Sequence, residues 1–119
     1  MESKETALAI AKALQDKKAF DIKVLEILDL TPIADYFVIC SGTSSTHLKA
    51  LCDEVEHQLG EKGVKPIHLE GYRSANWILA DYSDVVLHIF NREFREFYNI
   101  ERLWSDAIEI EVPEINTQV

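Results

Sequence analysis

The chain has 119 residues, 47% of them hydrophobic, with four glycines and three prolines. That is one domain with ample material for a packed core, and it excludes a disordered or low-complexity polymer. Twenty-one acids against twelve bases leave a formal charge of −9. Nucleic-acid binding depends on neutralising phosphates with Lys and Arg, so little direct RNA contact is expected. The acidity either steers the chain toward a basic partner or serves solubility alone.

Two cysteines, Cys40 and Cys52, are too few for a disulfide framework, and both fall at apolar positions, as thiols of a reduced compartment do. Met1-Glu2-Ser3-Lys4-Glu5 lacks the basic and apolar regions of a signal peptide. No apolar run approaches the roughly 20 residues of a membrane span. A cytoplasmic protein without membrane contact is expected.

The spacing of Leu8, Ala11 and Leu14 predicts a helix from near Ser3, with Lys17 and Lys18 in its last turn. A strand is expected over residues 22–28, stopped by Asp29-Leu30-Thr31-Pro32. Tyr36-Phe37-Val38-Ile39-Cys40 shows no polar alternation, which predicts a central strand covered on both faces. The turn Ser41-Gly42-Thr43-Ser44-Ser45-Thr46 is rich in potential caps. A helix follows, with Leu48, Leu51, Cys52, Val55 and Leu59 on one face and Gly63 as a left-handed stop. Residues 66–69, 76–81 and 84–90 read as three further strands, and 94–98 and 100–104 as short helical turns. Residues 107–119 are expected to be an acidic, solvated tail on a single domain spanning 1–106. The fold class is α/β (α+β): a mixed sheet of about five strands with helices packed on it.

The last two strands form a hairpin with two unlike faces. A turn at Tyr82-Ser83 would set Asp81 opposite Asp84, Leu79 opposite Val86 and Trp77 opposite His88. One face is then Ile78, Ala80, Val85, Leu87 and Ile89, suited to lying under helices. The other is Trp77, Leu79, Asp81, Asp84, Val86, His88 and Phe90, which mixes apolar anchors with two carboxylates and an imidazole. Such a patch reads as an interaction surface for a Lys- or Arg-bearing partner. Alternatively, Trp77, His88 and Phe90 lie beneath the C-terminal helical turns, and Asp81 and Asp84 only fix the turn.

Chemistry is harder to find. The four histidines and two cysteines show no short metal-ligand spacing, so no metal or other cofactor is expected. Ser44 or Ser45 beside His47 suits helix capping better than nucleophilic catalysis. Ser41-Gly42-Thr43-Ser44-Ser45 before a helix faintly resembles a phosphate-cradling turn, and also the Gly-Ser turn of nucleotidyltransferases. Those enzymes need paired acids alternating on one strand, which Asp81 and Asp84 do not provide. The layout is nucleotidyltransferase-like without catalytic acids, and no enzyme activity is expected; a degenerate nucleotidyltransferase using the Gly42 turn is the alternative.

Several stretches together carry a family resemblance. They are Asp35-Tyr36-Phe37-Val38-Ile39-Cys40-Ser41-Gly42-Thr43-Ser44, Glu70-Gly71-Tyr72-Arg73 with Trp77-Ile78-Leu79, and Asp81-Tyr82-Ser83-Asp84-Val85-Val86-Leu87-His88-Ile89-Phe90. Arg95-Glu96-Phe97-Tyr98 and Leu103-Trp104 complete the set, which spans about residues 5 to 106. In these the chain resembles the ribosomal silencing factor, or Iojap-related, family. The resemblance implies binding to the large ribosomal subunit through its basic fourteenth protein. It also implies steric blocking of small-subunit joining and repression of translation when nutrients are scarce. Organelle relatives serve large-subunit assembly; with no transit extension, this chain looks like a bacterial, cytoplasmic member.

Carried onto this sequence, the partner-binding residues are Glu70, Trp77, Asp81, Tyr82, Asp84, His88, Phe90 and Tyr98. Trp77 and Phe90 would be packing anchors, and Glu70, Asp81 and Asp84 partners for Lys or Arg. The bound form would be a monomer, while an open apolar sheet face would allow a homodimer when free. Two departures stand out: Cys40 where small residues are usual, and residues 108–119 past the family core.

Overall fold

A computed structural model of the chain describes residues 1–113. Helix α1 (Ser3–Asp16) begins with a capping box, in which the Glu2 N–H donates to the Glu5 carboxylate at 3.2 Å. It buries Ala7, Ile10, Ala11 and Leu14 along one stripe. The helix ends before the lysine pair expected in its last turn: Lys17 is the cap and Lys18 turns left-handed, with φ 62°.

Strand β1 (Phe20–Glu26) starts two residues earlier than the apolar run suggested, and a bulge lies between Phe20 and Lys23. Strand β2 (Tyr36–Gly42) has all seven residues buried, as its unbroken apolar run requires. Helix α2 (Ser45–Gly60) is capped by the Ser44 hydroxyl, which accepts from the His47 N–H at 3.1 Å. Gly63 supplies the left-handed turn beyond its end, with φ 79°. Strands β3 (His68–Glu70), β4 (Trp77–Asp81) and β5 (Val85–Asn91) follow. Helices α3 (Arg92–Tyr98) and α4 (Ile100–Leu103) come next, and strand β6 (Ile108–Ile110) comes last.

The six strands form one sheet in the order β3-β4-β5-β2-β1-β6. Only the β2–β5 pair is parallel. Helices α1 and α2 cover one face, where Ile10, Leu14, Leu48 and Leu51 meet Val38, Cys40, Leu87 and Ile89. On the opposite face a smaller core of Leu25, Ile27, Phe37, Ile39 and Phe90 lies beneath Phe94, Ile100 and Trp104. Burial pushes the Cys40 and Cys52 thiols up to about 12, so both are unreactive core residues. Among the described residues no helix is long and apolar enough to cross a membrane.

The acidic tail departs from expectation. Ile108–Ile110 pairs antiparallel with β1, with Ile110 opposite Val24, and Ile110 and Val112 pack against the first core. The tail's acid count concealed its alternation: Ile108, Ile110 and Val112 share one side and Glu109 and Glu111 the other. Glu114, the last acid of that tail, lies outside the described residues.

The loop before β4 is held at two points. The Tyr72 hydroxyl donates to the Asp53 carboxylate of α2 at 3.0 Å. Gly71 takes φ 78°, and a Cβ there would sit 2.1 Å from the Trp77 carbonyl oxygen. Gly71→Ala should therefore displace the start of β4 and cost roughly 2–3 kcal/mol in urea-melt stability. A Gly60→Ala control, at a site with no neighbour within 4 Å, should be neutral or mildly stabilising.

Candidate functional site

The hairpin of β4 and β5 closes through Ser83-Asp84. The Tyr82 N–H donates to the Val85 carbonyl at 2.8 Å, and Ser83 takes the positive φ (77°) that a tight hairpin turn needs at its first central position. Trp77 therefore pairs with Phe90, Leu79 with His88 and Asp81 with Val86. The expected register, built on a Tyr82-Ser83 turn, is displaced by two residues. Two is the side-chain period of a strand, so the pairings change and the faces do not.

Three expected site residues are corrected by this geometry. Tyr82 is only 7% exposed and belongs to the core under α2, because it shares the parity of Ile78 and Ala80. Phe90 is fully buried, and His88 is 5% exposed. Both lie beneath the layer formed by α3 and α4, so neither presents a surface to a rigid partner. The opposed-carboxylate idea also fails. Asp84 sits in the turn, where its carbonyl accepts from the Asp35 and Tyr36 N–H groups at 2.7 and 3.2 Å. Asp81 caps the same turn by accepting from the Ser83 N–H at 2.8 Å.

What remains open is a strip along β3, β4 and the start of β5. Trp77, Leu79, Asp81 and Val86 are half-buried, and Glu70 is exposed on the edge strand, paired with Leu79. Tyr98, 47% exposed, leans on Trp77 from α3 with ring centroids 5.0 Å apart. Phe97 beside it is 80% exposed and Leu103 76%. Sequence reasoning missed Phe97 and Leu103 as surface groups. Their only signal was an aromatic and aliphatic excess in helices too short to bury it.

Trp77 is held rigidly. Its ring stacks on Phe90 at 4.8 Å, and its Nε1–H donates to His88 Nδ1 at 3.1 Å. An accepting Nδ1 requires the neutral tautomer that carries its proton on Nε2. That Nε2 is buried without a hydrogen-bond partner among the described residues, and the Phe37 ring meets the imidazole edge-on at 4.7 Å. Burial holds the His88 pKa down at about 4. The imidazole is thus a neutral acceptor that orients the indole. Among the described residues no group of three or more His, Cys, Asp or Glu could hold a metal ion.

Fold and face together define an α/β domain with a preorganised aromatic strip bordered by acids. The family model described as "Ribosomal silencing factor during starvation" matches residues 1–119, and the chain belongs to that family. It is 39% identical over 107 residues to the ribosomal silencing factor RsfS of Bacillus subtilis, covering 90% of this chain and 91% of the relative. It is 31% identical over 99 residues to the mouse protein named mitochondrial assembly of ribosomal large subunit protein 1, covering 81% of this chain and 43% of that protein. A crystal structure of a Chromobacterium violaceum protein superposes with a TM-score of 0.86 at 33% identity, covering 99% of this chain and 95% of that one.

The buried imidazole has a pH consequence. Its pKa is lowered on folding, from 6.5 to about 4, so between those values the unfolded chain binds a proton that the folded chain does not. The stability is complete above pH 6.5 and is lost as pH falls toward 4, by about 3 kcal/mol in all. Urea midpoints measured across that range should fall more steeply for the wild type than for His88→Gln, which keeps an acceptor for the indole N–H. Parallel curves would assign the acid sensitivity to other groups.

Proposed function

We propose that this protein is a cytoplasmic translational repressor that docks on the large ribosomal subunit, chiefly on its basic fourteenth protein. The observation that carries this reading is the open strip of Trp77, Leu79 and Tyr98, bordered by Glu70 and Asp81, in a chain of the silencing-factor family. Trp77 and Tyr98 supply rigid apolar area with little conformational entropy to lose. Glu70 and Asp81 meet Lys or Arg of the partner. With a net charge of −9, the domain is drawn to a basic protein patch and held off the surrounding RNA.

The mechanism needs no bond-making. The domain measures 36 × 33 × 31 Å, so a copy seated on the joining face excludes the small subunit by volume. An ordinary interface buries about 800 Å² per partner, roughly a tenth of the 7229 Å² that this chain exposes. Bound copies act as monomers. Free copies could pair through the same strip, which docking would then compete for.

Co-sedimentation with purified large subunits tests the reading. Glu70→Lys, on the exposed edge strand, should weaken binding about tenfold or more while leaving the melting temperature nearly unchanged. Leu79→Ser, at the half-buried position opposite it, should weaken binding similarly with only a modest drop in melting temperature. Wild-type binding should weaken as salt is raised. Binding by the two variants equal to wild type would remove the strip from the interface.

A second reading, large-subunit assembly on the same docking site, is favoured by the name of the mouse relative. Depletion separates the two. Silencing predicts normal mature subunits that join too readily in starved cells, whereas assembly predicts an accumulation of immature large subunits.

A further inference from the structure

Strands β2 and β5 lie side by side and parallel, but the chain leaves them in opposite directions. After β2 it passes to α2, against the first core; after β5 it passes to α3, against the second. Adjacent parallel strands whose following helices part to opposite faces leave a crevice outside their carboxyl ends, the usual ligand position in open α/β sheets. A cavity of about 890 Å³ lies there, between the ends of β2 and β5, the bulged start of β1 and the outer side of α3. Its size is within the range of small-molecule sites. It is separate from the Trp77 strip, and the docking reading does not use it.

The walls carry charges of both signs, interleaved along β1 and α3. Arg95, with its side chain 11% exposed, is fixed by two bonds to Glu101 at 2.9 and 3.2 Å and one to the Ser41 hydroxyl at 2.8 Å. A guanidinium has five N–H groups, so one on each terminal nitrogen stays free. Lys23 also reaches Glu101, at 3.5 Å, so the three-residue group keeps one net positive charge. Arg92 lines the cavity with no ion-pair partner among the described residues. These cations suit an anionic group. Asp21, Glu93 and Glu96 line the same cavity and oppose a bare anion, but carboxylates readily accept hydrogen bonds from sugar hydroxyls. Phe20, 51% exposed at the mouth, offers a ring for stacking.

We infer that this crevice binds a nucleotide, with phosphate on Arg92 and Arg95, sugar hydroxyls on the carboxylates of Asp21, Glu93 or Glu96 and the base on Phe20. That ligand class uses each kind of wall residue, whereas inorganic phosphate uses only the cations. It also gives a place to the Gly-Ser turn, since Ser41, Gly42 and Thr43 form the β2 side of the crevice. Binding alone is inferred, with no transfer step.

Titration of the full, isotopically labelled chain with AMP, GMP and UMP in turn, followed by amide NMR, tests this. At least one nucleotide should shift amides of residues 20–23, 41–43 and 92–96 saturably, with a Kd below about 1 mM. Adenosine alone and inorganic phosphate alone should bind about tenfold more weakly or worse. Arg92→Glu and Phe20→Ser are surface changes that should keep the melting temperature and each weaken the nucleotide about tenfold. Absence of saturable shifts with all three nucleotides would overturn the inference. So would inorganic phosphate binding as tightly as a nucleotide, or affinity indifferent to both substitutions. None of these outcomes bears on docking to the large subunit, which is measured separately.

Discussion

Strand β2 must be dry on both sides. Its seven residues are all buried, with Val38 and Cys40 facing one core and Phe37 and Ile39 the other. Neither face of a sheet built around such a strand can be left to water, so each needs a helical layer. The long helices α1 and α2 serve one side fully. Among the described residues the other side has α3 and α4 alone, of seven and four residues. That layer is wide enough to cover Phe37, His88 and Phe90 but not Trp77 and Leu79. The open strip is the part of the second face that the short helices do not reach.

The boundary between covered and open residues sets the character of the surface. Trp77 has one edge in the second core and the other at its margin. It is held by stacking on Phe90, by contact with Tyr98 and by one hydrogen bond to a buried neutral imidazole. A ring held this way loses little freedom on docking, so its apolar area is available to a partner at small entropic cost. His88 acts one layer down. Its imidazole is buried against Phe37, Phe90 and the indole it orients, and its missing charge is what makes the packing tolerable.

Helix α3 connects two regions of different chemistry. Tyr98 at its end leans on Trp77, while Arg95 and Glu96 line the crevice at the carboxyl ends of β2 and β5. The Arg95–Glu101–Ser41 bonds tie α3 and α4 to the central strand, which compensates for helices too short to be stable alone. Partial burial makes these ion pairs count for more than exposed ones. The Arg95 guanidinium beside Glu101 holds its carboxyl below the usual carboxylate range, against the opposing effect of burial.

Much of the architecture was legible in the residues alone. The unbroken run 36–40 required a central strand, the stripe of Leu48, Leu51, Val55 and Leu59 required α2, and alternation in 77–90 sorted the hairpin into its two faces. Those are periodic signals, and they survived a two-residue error in register because strand periodicity is itself two. The family membership was legible for a related reason, since it rests on ordered motifs spread over nearly the whole chain. Depth was not legible. Trp77, His88 and Phe90 share a face and a composition that suits either a docking surface or a second core, and only the reach of α3 and α4 divides them. Tyr82 moved from the turn into the core because the turn sits one residue further along than its sequence suggested, and β6 was hidden by acids on the outer side of an alternating strand. Local pattern specifies which residues point together; how much of each face is covered depends on contacts between segments far apart in the chain, which only the packed structure supplies.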